Sequence, residues 1–251
     1  MDGTWKLTQP VAADAEQGEL DELLNALATL RADELVAEKP ADLTPFGLKN
    51  PEAKWTLFNA DKPVLTLLLG KKDATGRVFA MLDKGDLVAL LDPVLTGKVL
   101  AEYRKRAVWT DVDASQLESV ILTATNGNVV LQKQGGVWID PEKPGDKFDA
   151  AKVTELAAAF AGLKAERYVA DAKADLAVYG LDKPAFVVAV VGKGGATKSL
   201  AVGGPEGTSG GKQRYAKVND PARPEVFVLS ESDTAKLTRD RASLVEKAEK
   251  K

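Results

Sequence analysis

Apolar residues first gather into a helical stripe at Leu20, Leu23, Leu24, Leu27 and Leu30. The spacing of three and four predicts an amphipathic helix with one face in a core. A second stripe, Val153, Leu156, Ala157, Phe160 and Leu163, lies 133 positions further on, residue for residue, with Asp149 placed to cap its start. Short apolar runs follow each helix. In the first half they are Trp55 to Phe58, Val64 to Leu69, Val78 to Leu82 and Leu87 to Leu91. In the second they are Phe186 to Val191, Ser199 to Val202, Arg214 to Val218 and Val226 to Leu229. Their lengths and the turn residues between them predict antiparallel strands. The unbroken Val187 to Val191 run points to a strand covered on both faces or near a sheet centre. Each half then closes on a short helix, the first with Leu95, Val99 and Tyr103 on one face, the second behind a capping box at Ser230 to Asp233.

The offset of 133 is a property of the whole region. Trp5 falls on Trp138 and Pro51 on Pro184 without a gap, and 15 of the 47 positions from 5 to 51 are identical to their partners. Unrelated segments rarely hold one register that long, so the chain reads as two tandem copies of one module. Each linker after a helix ends in a shared turn, Phe46-Gly47-Leu48 with Pro51 and Tyr179-Gly180-Leu181 with Pro184. Glycine there implies a backbone conformation that other residues resist, with the aromatic and Leu pinning the turn to the core and Pro stopping it before the next strand. We read this motif as structural. If φ at Gly180 is positive, valine there is expected to destabilise the second half by a few kcal/mol.

Before Trp138 lie two further strand-like runs, Val120 to Thr125 and Val129 to Gln132, separated by the hairpin signal Asn126-Gly127. The second copy thus reads ββ(β)αββββα, and the first has no room for the two extra runs before Trp5. The sequence is therefore expected to be a piece cut inside, or just before, its first module, with any anchor or export signal in the part not included. Helix and strand do not alternate strictly, so the predicted class is α+β: two tandem copies, each a mostly antiparallel sheet packed against an amphipathic helix plus a short C-terminal helix. The modules are assigned to 1–107 (N-terminally truncated) and 108–251, with the boundary near Arg106 to Leu117 and no long flexible linker, so the two are expected to touch.

Composition narrows the chemistry. With 45% hydrophobic and 28% charged residues the chain has the profile of a folded protein. A net charge of −3, from 34 basic and 37 acidic residues, gives no electrostatic case for nucleic acid. There is no Cys and no His, so disulfides, thiolate zinc sites and Ser-His-Asp or Cys-His chemistry cannot occur within it. Lack of Cys fits an extracytoplasmic home. No run approaches the roughly 20 apolar residues of a membrane span, and Met1 to Trp5 is no signal peptide.

Three motifs fail on spacing. In Gly203 to Lys212 a phosphate loop would need Gly where Glu206 stands and Ser or Thr where Gln213 stands, and the stretch lies between strands. Gly192 to Gly195 reads as a hairpin tip. Asp111, Asp113 and Ser115 open like a calcium loop, but Gln116 and Leu122 occupy the positions that need Gly and Glu. No cofactor and no metal set is expected. The remaining clue is aromatic: Trp55 and Trp109 face Val188 and Ala242 at the repeat offset. A tryptophan found in one copy alone is either core filling or part of a binding surface.

The turn Tyr179-Gly180-Leu181-Asp182-Lys183-Pro184, then Leu200 to Gly203, Gln213 to Val218, Val226 to Leu229 and Arg239 to Arg241, resembles the bacterial domain-of-unknown-function family 4340. Phe46 to Pro51, Leu67 to Gly70 and Val78 to Ala80 carry the same resemblance through the first copy. It implies a protein anchored by an N-terminal membrane helix, with repeats on the periplasmic side, often encoded beside gliding-motility-type ABC transporter components. It brings no established activity and no catalytic residues. The function expected is a non-enzymatic extracytoplasmic module that binds a protein or envelope polymer, as an accessory of an ABC transporter. The alternatives are a carboxylate-using, carbohydrate-active hydrolase with its site between the repeats, told by two carboxyls about 5 to 10 Å apart between aromatic walls, and a purely structural spacer.

Overall fold

The computed structural model describes residues 4–9, 11–125, 127–171 and 174–246. The chain divides into two compact units, Met1–Lys105 and Arg106–Lys251. In the first, a two-stranded ribbon, β1 (Lys6–Leu7) with β2 (Ala13–Asp14), leads into α1 (Gln17–Ala28). Strands β3 (Glu34–Glu38), β4 (Ala53–Asn59), β5 (Lys62–Lys72), β6 (Val78–Leu82) and β7 (Leu87–Leu91) form one antiparallel sheet in the order β3-β7-β6-β5-β4. The leucine stripe does what its period dictates: Leu23 and Leu27 bury against Leu67, Leu69, Val78, Ala80 and Leu91, with Leu20, Leu30 and Trp55 at the margin. Leu48 covers the opposite face with Leu68 and Val88. Helix α2 (Pro93–Val99) is capped by Asp92, whose carboxylate accepts from Val94 and Leu95 N–H, and Leu95, Val99 and Tyr103 pack on the α1 side.

The second unit holds β8 (Leu117–Ala124), β9 (Gly127–Gln134), β10 (Val137–Ile139), α3 (Ala150–Ala161), β11 (Arg167–Ala170), β12 (Phe186–Gly192), β13 (Thr197–Pro205), β14 (Arg214–Val218), β15 (Val226–Leu229), α4 (Glu231–Leu237) and α5 (Arg241–Leu244). Its eight strands run β10-β9-β8-β12-β13-β14-β15-β11, every neighbour antiparallel. Asp149 caps α3, accepting from Ala151 and Lys152 N–H, and Val153, Leu156, Ala157, Phe160 and Leu163 are all buried. The Val187 to Val191 run lies centrally, between β8 and β13, with Val188 and Val190 almost wholly buried and their neighbours half-buried. The chain is thus α+β with extensive antiparallel sheet.

Three expectations need correction. First, each helix is followed by a strand the pattern did not announce, β3 and β11, which closes the far edge against β7 and β15. Glu34-Leu-Val-Ala-Glu38 is built largely from good helix formers and Arg167-Tyr-Val-Ala170 is four residues long, so sheet-edge pairing decided what propensity could not. Second, Ala124 pairs directly with Gly127, so β9 begins at the glycine expected to be in the turn; Asn126 lies outside the described residues. Third, Ser230 Oγ accepts from Asp233 N–H as a capping box requires, but Asp233 meets the serine hydroxyl at 2.8 Å, whereas a reciprocal box would have it accept from the serine backbone N–H.

Candidate functional site

Both shared turns rest on a close backbone approach. Gly47 has φ +71° and Gly180 φ +64°, the left-handed region. The turns press on glycines of the next hairpin: a Cβ on Gly70 would lie 2.1 Å from Phe46 O, and one on Gly203 2.3 Å from Tyr179 O. Phe46 stands edge-on to Phe79 at 5.3 Å and Tyr179 edge-on to Tyr215 at 5.0 Å. Leu48 and Leu181 are buried beneath them, while Pro51 and Pro184 remain half-buried just beyond. Arg214 donates to Gly203 O at 2.7 Å beside the second turn and Asp175 caps its start, and the arrangement is architectural.

Trp55 is half-buried at the margin of the α1 core. Trp109 has a different setting. It is 93% removed from solvent, as its 7% exposure states, and stacks on the core ring of Phe160 with centroids 5.0 Å apart and planes 17° from parallel. Lys198 Nζ and the Arg223 guanidinium each sit 6.0 Å from its ring centre, within reach of the ring quadrupole. The Trp109 indole N–H is buried and meets no acceptor.

Around this ring three separate segments make a cavity of about 450 Å³. The approach to β8 supplies Trp109 and Asp111, the start of β13 supplies Lys198 and Ser199, and the β14–β15 connection supplies Asn219 and Arg223. Lys198 is held by Asp111 at 2.8 Å, and that contact is the first cause holding the Asp111 carboxyl below its usual range. Arg223 donates to Val108 O and, through Nε and Nη2, to Glu225 at 3.0 and 2.9 Å. Asn219 donates to Ser199 Oγ at 3.0 Å. A smaller cavity of about 210 Å³ adjoins it and shares Asp111 and Lys198. The surface is polar, with two cations already partnered, and suits reversible contact with a polar ligand better than chemistry on one.

The first unit has a cavity in the corresponding place. Leu67 pairs with Leu82 there, as Leu200 pairs with Val218 in the second unit. The pocket beside Leu82, about 270 Å³, is lined by Pro63 to Thr66 and Leu82 to Gly85. Its counterpart takes Thr197 to Ser199 and Val218 to Pro221. Leu65 stands where Lys198 stands, so an apolar side chain replaces a cation at that point, while Asp83 and Lys84 also line the first cavity.

The model for the family described as a domain of unknown function (DUF4340) matches residues 5–175 and, again, residues 141–251. The chain belongs to the DUF4340 family. No curated protein and no solved structure matches it. Within this DUF4340 chain, no group of three or more acidic residues is placed to hold a metal among the described residues, and no helix there is long and apolar enough to cross a membrane. The two most buried carboxylates are tied down elsewhere in the second unit: Asp140 to Arg241 at 2.6 Å, and Glu206 to Arg167 at 3.0 Å and Thr208 at 2.7 Å. The Thr208 hydroxyl foremost holds the Glu206 carboxyl below its ordinary range, the reverse of what a general acid needs.

Sequence reasoning named Trp109 but not Lys198, Asn219 or Arg223, which lie about a hundred residues further along. One signal was available. At the offset of 133 Lys198 faces Leu65, a charge in place of an apolar residue.

Proposed function

We propose that this chain is a duplicated, non-enzymatic binding module acting outside the cytoplasm as an accessory of an ABC transporter, with its ligand surface at the Trp109 cavity of the second unit. The duplication is supported by the unbroken offset of 133, by strand orders β4-β5-β6-β7-β3 and β12-β13-β14-β15-β11, and by glycine pairs in the same close approach. The single observation that carries the binding reading is where the halves part company. They agree at the turns and helix cores that the backbone needs. Beyond the extra strands β8 to β10, they differ at a sheet-end cavity, which in the second unit gathers Trp109, Asp111, Lys198, Asn219 and Arg223. A partner presenting a carboxylate or backbone carbonyls would exchange with Asp111 for Lys198, at small cost because that ion pair is largely exposed.

The test is capture from envelope extract on the immobilised protein. Wild type is expected to enrich a transporter component over an unrelated acidic control, and K198E to reduce that capture about tenfold, the scale of a lost interfacial charge contact. Lys198 is partly exposed, so the variant's melting temperature is expected to stay within a few degrees. No enrichment over the control, or capture indifferent to K198E, overturns the reading.

A further inference from the structure

One ion pair divides the ligand surface of the second unit. Asp111 and Lys198 line both the larger cavity beside Trp109 and the smaller one that adjoins it, so their 2.8 Å contact stands where the two meet. The two cations of the larger cavity are held very differently. Arg223 is fixed by Val108 O and by two bonds to Glu225, and it cannot turn to a newcomer without breaking them. Lys198 is held by a carboxylate whose side chain is 61% exposed, and a pair so exposed to water opens easily. Asp111 therefore occupies the place that an incoming acceptor would take.

Three features say what that acceptor is. The larger cavity is lined by two cations, Lys198 and Arg223, and two carboxylates, Asp111 and Asp220. Turning Asp111 out to solvent leaves one positive charge in excess, which a single carboxylate restores and a cation or a doubly charged phosphate does not. Trp109 is buried with one face on Phe160, so it offers no open ring for a sugar to stack on. The smaller cavity is lined by Val112, Leu117 and Val190 beside the exposed Asp113, Gln116 and Lys193, whereas the larger one presents Ser199 and Asn219 next to Lys198. We propose, building on the binding reading above, that this surface takes an acidic peptide segment and that Asp111 is a built-in competitor for it. One Glu or Asp side chain of the segment displaces Asp111 from Lys198. Its neighbour on one side is apolar and enters the smaller cavity, and its neighbour on the other is polar and meets Ser199 and Asn219. Until such a segment arrives, Asp111 keeps Lys198 occupied.

The probes are two capped peptides, Gly-Leu-Glu-Ser-Gly and the same residues in reverse order, with glutamine versions as controls, titrated into the isotope-labelled full chain. The assigned NMR signals of the Trp109 indole N–H and the Lys198 backbone N–H report binding. A glutamate peptide is expected to shift both signals and to bind about tenfold tighter than its glutamine version, the scale of a lost charge contact. D111N is expected to tighten the glutamate peptide about threefold to fivefold, the upper end for an exposed ion pair, with D111S as a second variant that gives the same gain. Both changes fall on an exposed side chain, so the melting temperature is expected to stay within a few degrees. Equal binding of the glutamate and glutamine peptides, no shift with any peptide, or an affinity unchanged by D111N and D111S overturns the proposal. So does poly(glycerol phosphate) moving the same signals at lower concentration than the peptides, because the site then takes an anionic polymer. The outcome is separable from the capture experiment. Capture sensitive to K198E alongside equal peptide binding keeps the binding module and discards the acidic ligand. Failed capture alongside glutamate binding tightened by D111N keeps the ligand and discards the transporter partner.

Discussion

Replacing Gly203 with valine is expected to remove about 4 kcal/mol or more from the stability of the second unit, among the largest effects a single substitution produces. The cause is contact between two backbones. A Cβ on Gly203 would stand 2.3 Å from Tyr179 O, 2.9 Å from Leu181 Cγ and 3.0 Å from Gly180 O, and real Cβ atoms do not approach a carbonyl so closely. The turn has little freedom to retreat. Leu181 N–H is bonded to Leu176 O and Gly180 N–H to Ala177 O, the Asp175 carboxylate caps its start, and Leu181 is locked in a cluster with Ala201 and Val226. Gly180→Val meets the same wall from the other side, at 2.8 Å from Gly204 N, and adds the strain of a β-branched residue at φ +64°. It is expected to cost a few kcal/mol. The control is Gly207→Val in the following loop, where nothing lies within 4 Å of the added Cβ and the change should stay within about 0.5 kcal/mol. Denaturant unfolding followed by hydrogen exchange in β12 to β15 measures all three. A Gly203→Val protein less than about 1 kcal/mol weaker than wild type would show that the turn yields, and that the shared glycines do not arise from close approach.

The same glycines show how far the sequence could be read. The helices were legible because a stripe of period 3.6 marks one face packed in a core, and α3 buries its four named positions, with Leu163 buried just beyond its end. The main strands were legible from alternation between turn residues. What stayed hidden depended on contacts distant in the chain. Whether Glu34 to Glu38 is helix or strand is decided by β7 across the sheet edge, and nothing local to those five residues encodes that edge. The candidate site was hidden for the same reason: Trp109, Lys198 and Arg223 meet only after β8, β13 and the β14–β15 connection are brought to one end of the sheet. The spacing of Asp111, Asp113 and Ser115 drew notice for calcium. In the structure Asp113 caps a short 3-10 turn at Ala114–Gln116 and Asp111 pairs with a lysine. Local pattern located the acidic residues, and only the tertiary fold gave them partners.

Asp140→Ala is expected to destabilise the second unit by about 3 kcal/mol, at the lower end for a broken buried ion pair because Arg241 retains 21% exposure. Arg241 opens α5 and bridges two carboxylates, Asp140 at 2.6 Å and Asp146 at 2.8 Å, with its guanidinium 5.5 Å from the centre of the Phe148 ring. Asp140 is 2% exposed and also accepts from Glu142 N–H at 2.8 Å. Removing it leaves a cation near the protein interior with one partner fewer, while the fully buried Leu244 depends on α5 staying docked beside α3. Arg241→Lys keeps the charge but not the fork that spans two carboxylates, so it is expected to recover only part of the loss seen with Arg241→Ala. Acid gives an independent measurement. Burial alone would raise the Asp140 carboxyl, but hydrogen bonds from Arg241 and Glu142 N–H, with the guanidinium charge, outweigh it and hold the group below its ordinary value. In the unfolded chain the group titrates near about 4. Since the folded value is the lower one, its stabilisation is complete above that unfolded pKa and falls away as pH drops through the folded one. Wild type is therefore expected to lose more stability than Asp140→Asn on going from about pH 5 to pH 2, so that the difference between them narrows with acid. A constant gap over that range would mean that Asp140 acts by shape and neutral hydrogen bonds alone, and that the guanidinium is there to pack on Phe148 rather than to answer a charge.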